Sequence, residues 1–224
     1  MISNASLPKI SLHFLSARGQ LDRYEKRVRE TVSNVVKATT ALEKLGPLDI
    51  IVQEGRWVIP QIGHTGYTPK ADAIFLTLDT KSEALEANLG LPMERVLAHE
   101  FHHARRWDTV GCGKTLGEQL ITEGLAGRFV EEIYDNPPEP WESAVSLEKL
   151  RPHLGAAAQE WDSENYDHMR WFFGEGDLPH WIGYSLGYQL VGKYLEVNSD
   201  SRPSMLAAAP AASFRTMLDC LAKE

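Results

Sequence analysis

The stretch HEFHH, residues 99–103, crowds three histidines and a glutamate into one short segment. His99, Glu100 and His103 fit the pattern H-E-x-x-H, in which one helix supplies two zinc ligands and a general base. Imidazole nitrogens suit Zn²⁺, and a catalytic zinc site keeps one position open beside its protein ligands. The pattern therefore predicts hydrolysis by a metal-activated water whose proton passes to a carboxylate.

Helical geometry separates the three histidines. Each residue of an α-helix advances by roughly 100°, so His103 lies roughly 40° and Glu100 roughly 100° from His99. His102 lies on the other side of His99, roughly 160° from Glu100, and pairing His99 with His102 would turn the glutamate away from a metal. We therefore predict His99 and His103 as ligands and Glu100 as the base. His102 is expected at the rim of the site or behind the residues that bind the metal, and Phe101 is expected to face the core.

A third ligand is needed, and Glu123 on the next predicted helix is the candidate. Glu123 shares its helical face with the apolar residues Leu116 and Leu120. A carboxylate buried without a partner is costly, and zinc would be such a partner. Two alternatives stay open. Glu123 could instead form an ion pair with Arg105 or Arg106. The HEFHH helix could be a core helix whose histidines are satisfied by hydrogen bonds.

The elements that must position these residues begin with strands. Alternation over Lys9–Leu15 predicts a strand, and helical spacing predicts a helix from about Leu21 to Leu45, before Gly46-Pro47. Short apolar runs predict further strands at LDIIVQ (48–53), RWVIP (56–60) and AIFLTLD (73–79). Between them, QIGHTGYTPKAD (61–72) is predicted to be a turn-rich loop.

Beyond residue 91 the pattern is helical. One helix covers the HEFHH stretch, and Pro92 suits its first turn. A second opens with Thr115 and Glu118 as a capping box, and others are expected near residues 141–150, 155–172, 179–197 and 203–222. This order predicts an α+β fold, with a small mixed or antiparallel sheet and an N-terminal helix packed against a mainly helical C-terminal lobe. Residues 1–224 are predicted to form one domain in two lobes: an α/β lobe with an edge strand (1–90) and a helical lobe with the zinc site (91–224).

Charge and composition limit the classes of partner and the cellular location that we expect. The net charge is −8, from 23 Lys and Arg against 31 Asp and Glu, and no basic run favours nucleic acid or a membrane surface. No apolar run approaches the ~20 residues of a membrane span. The N-terminus lacks a signal-peptide pattern, and two cysteines make no disulfide framework. We expect a cytoplasmic protein, and its oligomeric state stays open.

Three segments together resemble a known family. HEFHH, ITEGLAGRFVEE and IGYSLGYQL resemble a bacterial family of predicted zinc-dependent proteases of unknown function, over about residues 71–196. The arrangement is also similar to the gluzincins, the thermolysin-like metallopeptidases. The resemblance implies a zincin-like fold and Zn²⁺ held by His99, His103 and Glu123, with Glu100 as general base and acid. It also implies that AIFLTLD is an edge strand along which an extended peptide or protein substrate could lie.

The resemblance also covers a donor for the carbonyl oxygen, which gains negative charge during hydrolysis. HWIGYSLGYQL places His180, Tyr184 and Tyr188 on one predicted helical face, and Gly183 and Gly187 predict close helix packing. Tyr184 is favoured because its segment resembles the late motif of the family, and His180 is the second candidate. The alternative is that these tyrosines only pack in the core.

One position departs from the thermolysin-like pattern. Those enzymes carry, four residues after the glutamate ligand, an aspartate that orients a ligand histidine, and this chain has Gly127 there. Asp108 or Gln119 could supply the support instead.

The sequence as a whole predicts a zinc-dependent metallopeptidase of gluzincin type. The first alternative is a non-catalytic metal-binding or interaction module on a zincin-like fold, in which four protein ligands would close the zinc site. The second is a helical interaction module without a metal.

Overall fold

A computed structural model describes residues 8–223 of the chain. These residues form a small sheet followed mainly by helices, which confirms the predicted α+β class. The elements are β1 (Ile10–Phe14), α1 (Asp22–Thr40), β2 (Leu48–Glu54), β3 (His64–Lys70), β4 (Ala73–Leu78), α2 (Leu91–Trp107), α3 (Leu116–Tyr134), α4 (Leu147–Leu150), α5 (Leu154–Glu160), α6 (His168–Phe173), α7 (Ile182–Val197) and α8 (Met217–Leu221). Residues 1–7, on which part of the signal-peptide argument falls, lie outside the described residues.

The chain packs as two compact units, Met1–Asp108 and Thr109–Glu224. The first unit holds the sheet with α1 and α2, and the second holds α3 to α8. Helix α2 packs against α1 and β3. The division between the units therefore follows α2, whereas the lobe boundary predicted at residue 90 precedes it.

The sheet of the first unit is mixed, with strand order β1-β2-β4-β3. The pairs β1–β2 and β2–β4 are parallel, and β3 runs antiparallel to β4. Ile50 pairs with Ile74 and Val52 with Leu76, and all four side chains are fully buried. Burial of this row on one face explains why β2 and β4 were recognisable as apolar strands.

The position of the edge strand corrects a prediction. AIFLTLD forms β4, which lies between β2 and β3, so within residues 8–223 the antiparallel edge is β3. β3 forms inside the segment predicted to be a loop, and its register shifts between Tyr67 and Lys70, where Pro69 interrupts the ladder. Its composition is a weak strand signal, and pairing with β4 decides its conformation. RWVIP forms no strand beyond a single bridge of Ile59 to His64.

The helices are shorter than the periodicity predicts. α1 ends at Thr40, and the region 155–172 is divided between α5 and α6. The helices predicted near residues 141–150 and 203–222 are reduced to α4 and α8. Gly174 ends α6 with φ of 69°, in the gap between the helices predicted near residues 155–172 and 179–197. Trp181 adopts a left-handed conformation with φ of 62°, so α7 begins only at Ile182. Within the described part of the chain, no helix combines the length and the apolar character needed to cross a membrane.

Two glycines bring α3 and α7 into backbone contact. A Cβ atom on Gly187 would lie 2.1 Å from the carbonyl oxygen of Leu120, and one on Gly124 would lie 2.1 Å from that of Gly187. Close helix packing at Gly187 is thus confirmed. The helix that approaches Gly124 this closely is α7.

His64, at the start of β3, is fully buried. Its Nε2 lies 3.0 Å from the carbonyl oxygen of Asn88. Burial disfavours the charged imidazole and lowers the pKa of His64 from 6.5 to about 4, against a smaller opposing effect of the Asn88 carbonyl. The folded protein therefore keeps this histidine neutral at pH values where the unfolded chain protonates it.

We expect His64 to make the fold sensitive to mild acid. Between pH 6.5 and pH 4 the unfolded state binds a proton that the folded state does not, so stability falls as the pH falls. The loss from pH 7.5 to pH 5 is about 2 kcal/mol. Urea unfolding of metal-free wild type and His64→Asn at both pH values measures it, because the variant lacks this titration. Equal pH dependence of the two proteins would contradict the prediction.

Candidate metal centre

Helix α2 brings His99, Glu100 and His103 into one cluster. Each offers a ligand atom, and these atoms all lie within 4.8 Å of one another. The rings of His99 and His103, one helical turn apart, have centroids 4.6 Å apart and an interplanar angle of 85°. Glu100 and His103 are buried, and His99 is half-buried. The cluster is therefore anchored in the protein and accessible at one histidine.

The donors of this cluster fit zinc. Two imidazoles from one helical turn and a nearby carboxylate are the groups that Zn²⁺ accepts in proteins. The helix beneath them is held by Leu97 and Phe101, both fully buried, which confirms that Phe101 faces the core. His102 is also fully buried, so it does not lie at a rim.

Strand β3 holds the side chain of Glu100. The hydroxyl of Thr68 donates a hydrogen bond of 2.6 Å to Oε2 of Glu100, and both residues are buried. Gly66 lies beside the same side chain, since a Cβ atom there would be 2.3 Å from Cγ and 2.9 Å from Oε1 of Glu100. Residues 66 and 68 share one face of a strand, so both act on Glu100 from the same side.

The outer edge of β3 is defined by its ladder with β4. The amide of Asp79 donates to the carbonyl of Gly63, so Gly63 is a position that bonds to β4. In an antiparallel pair every second residue of a strand bonds to its partner. Gly66, three residues later, is therefore a non-bonded position, and its backbone N–H and C=O point away from β4. The next outward carbonyl, that of Thr68, accepts a 2.9 Å hydrogen bond from Nε1 of Trp107.

Glu123 lies on α3 in the second unit and is half-buried, with Leu116 and Leu120 buried on the same helix. Its negative charge acts on two side chains that the sequence argument left out, Tyr166 and His168. Burial and the Glu123 carboxylate raise the pKa of Tyr166 to about 12. Burial lowers the pKa of His168, and Glu123 partly opposes this shift.

Tyr166 and His168 are themselves neighbours, with the tyrosine hydroxyl 3.3 Å from Nδ1 of the histidine. Their only signal in the sequence is that the segment ENYDH (164–168) is polar and aromatic. Nothing in its spacing points to Glu123, because the two segments meet through the packing of the second unit.

The three candidates for the donor to the carbonyl oxygen, His180, Tyr184 and Tyr188, have different surroundings in the structure. His180 precedes α7 and does not share its helical face, and its Nδ1 lies 2.7 Å from the carbonyl oxygen of Phe173. Tyr188 is engaged elsewhere, because its hydroxyl donates to Glu131 at 2.8 Å and Arg128 lies over its ring. Tyr184 is half-buried, and its ring packs edge-on against Phe172 at 5.1 Å. Its role stays a prediction.

An aspartate at position 127 would meet the side chain of Glu142. A Cβ atom on Gly127 would lie 2.2 Å from Oε1 of Glu142, and Glu142 is buried. A carboxylate from another segment thus occupies the space beside this glycine. Gln119 donates from Nε2 to the carbonyl oxygens of Cys112 and Gly113, so its amide nitrogen holds a loop.

Helix α2 carries two histidines and a glutamate in one cluster and packs beside the edge strand of a mixed sheet. This arrangement is a candidate metal centre. The model of the family described as predicted Zn-dependent protease (DUF2268) matches residues 17–216. The chain therefore belongs to this family.

A curated relative covers less of the chain. The uncharacterized protein YjaZ of Bacillus subtilis (strain 168) is 28% identical over 126 residues, which make up 53% of this chain and 48% of the relative. The match thus spans about half the length of that protein. No solved structure matches the chain.

Proposed function

We propose that the protein is a zinc-dependent metallopeptidase of gluzincin type, with Zn²⁺ held by His99, His103 and Glu123. The observation that carries the proposal is the cluster of His99, Glu100 and His103 within 4.8 Å on one helix. Membership of a family described as predicted zinc-dependent proteases supports it. Glu123 is the proposed third ligand because it is a half-buried carboxylate on a helix with a largely buried apolar face.

Glu100 is the proposed general base and acid. When bound, Zn²⁺ supplies Lewis acidity toward a water molecule and a peptide carbonyl. The Glu100 carboxylate accepts the proton of the attacking water and then donates it to the leaving amine nitrogen as the C–N bond breaks. Its Oε2 already receives the Thr68 hydroxyl, so Oε1 is the oxygen available for this proton.

The substrate is proposed to be a peptide or protein segment that lies along β3. An extended chain adds to a sheet edge through backbone hydrogen bonds, and Gly66 directs its N–H and C=O outward beside Glu100. The indole of Trp107 already occupies the Thr68 carbonyl, so pairing is confined to a short stretch around Gly66.

Tyr184 remains our first candidate for the donor to the carbonyl oxygen. His180 is weaker, because its Nδ1 must carry the proton that faces the Phe173 carbonyl. Its Nε2 then donates only when the ring is positively charged.

Metal analysis of protein purified without a histidine tag tests the ligand set. We expect one zinc per chain in wild type, loss of zinc and of peptide hydrolysis in His99→Ala, and weakening of zinc affinity by about 100-fold or more in Glu123→Ala. Glu94→Gln, which removes a carboxylate near the start of the same helix as His99, is the matched control and should bind zinc normally.

The outcomes separate the alternatives. Unchanged zinc affinity in Glu123→Ala would assign the third ligand elsewhere, and wild type without zinc would exclude the metal centre. Stoichiometric zinc without cleavage of any peptide in a diverse library would support the non-catalytic metal-binding module.

A further inference from the structure

We propose that β3 positions the general base, with Thr68 as the positioning residue for Glu100. This inference rests on the proposed function, because it assigns Thr68 a role in the reaction of Glu100. Thr68 lies outside the H-E-x-x-H motif, on a strand that the sequence does not reveal.

The contact is short and sheltered. The Thr68 hydroxyl donates to Oε2 of Glu100 at 2.6 Å, and its oxygen lies 3.2 Å from the backbone carbonyl of Glu100. The exposed fraction is 7% for each residue. A hydrogen bond to an ionised carboxylate is stronger than one between neutral groups, and burial leaves little water to replace it.

Both neighbours of the Glu100 side chain restrict its orientation. Gly66 leaves space that only a residue without Cβ provides, because a Cβ there would lie 2.3 Å from Cγ of Glu100. The Thr68 carbonyl is tied to the Trp107 indole at the end of α2. Strand and helix are thus connected on both sides of the hydrogen bond, which holds the donor in place.

As a consequence, the two carboxylate oxygens of Glu100 have different roles. Oε2 receives the hydroxyl proton of Thr68, and Oε1 stays available to the water. Without the hydroxyl, the carboxylate can rotate, and proton transfer is sensitive to small errors of placement. The strand that would receive the substrate would also hold the base, so both would be positioned by one element.

Peptide hydrolysis by the zinc-loaded enzyme tests the role in the reaction. Thr68→Val keeps the shape and removes the donor, and we expect kcat to fall about 10- to 100-fold with KM changed less than about threefold. Thr68→Ser restores the donor and should return kcat to within about threefold of wild type. Wild-type kcat in Thr68→Val, or an equal loss in Thr68→Ser, would overturn the inference.

A double-mutant cycle tests the contact without metal or substrate. In metal-free protein, Thr68→Val should raise the unfolding equilibrium constant about tenfold in the wild-type background and less than about twofold in Glu100→Met, which has no acceptor. Equal effects in both backgrounds would overturn the inference. If zinc-loaded wild type cleaves no peptide, the proposed function and the catalytic role of Thr68 fail together, and the cycle still decides whether Thr68 holds Glu100.

Discussion

Glu100→Gln will bind zinc and lose peptide hydrolysis, with kcat reduced by about 10²- to 10⁴-fold, the range expected for removal of a general base. Glutamine matches glutamate in shape, and its carbonyl oxygen can still accept the Thr68 hydroxyl. It cannot take a proton from water. The predicted result is therefore loss of the chemical step with little change in structure, measured as kcat with a quenched fluorescent peptide, together with zinc content.

Two further substitutions on the same helix serve as controls for this result. Glu94→Gln changes a carboxylate that accepts a hydrogen bond from Asn34 outside the cluster, and it should retain activity within about twofold because surface substitutions have small effects. His99→Ala should lose both zinc and activity. Undiminished hydrolysis by Glu100→Gln would exclude Glu100 as the base, even if zinc is bound.

Gly187→Ala should destabilise the second unit by about 3 kcal/mol, at the upper end for an overpacked core. The new Cβ would lie 2.1 Å from the Leu120 carbonyl oxygen and 3.2 Å from the Gly124 nitrogen. Both are backbone atoms, so relief requires that α3 and α7 move apart. Thermal unfolding should show a decrease in Tm of roughly 6–12 °C.

Gly155→Ala is the matched control. Gly155 lies in α5, and a Cβ there would have no neighbouring atom within 4 Å. Alanine in this helix should be neutral or stabilising by about 0.5–1 kcal/mol, since glycine loses more backbone entropy on folding. Equal stability of Gly187→Ala and Gly155→Ala would show that α3 and α7 do not meet through their backbones.

Local patterns were sufficient for the helix of the candidate site. The periodicity of α2 places His99, Glu100 and His103 on one face, since that spacing is a property of any α-helix. The capping box at Thr115 and Glu118 likewise forms as predicted, because its hydrogen bonds join residues three positions apart. Alternation also identified β1, and apolar runs identified β2 and β4.

Long-range pairing decided the features that the local patterns missed. The segment HTGYTPK has little apolar character, and it becomes a strand only because β4 offers a partner. The same pairing places β4 inside the sheet and β3 at its edge. Helix ends also moved, because the left-handed residue Trp181 begins α7 after His180 and removes that histidine from the face of Tyr184.

The sequence by itself therefore determined the fold class, the helix of the H-E-x-x-H motif and the grouping on it of residue types that suit zinc. Only the tertiary structure decided what surrounds Glu100. Thr68 and Gly66 are distant from it in the sequence, and they reach its carboxylate because β3 packs against α2. The physical reason is that helical spacing follows from bonded geometry, whereas a contact between a strand and a helix depends on how the whole unit packs.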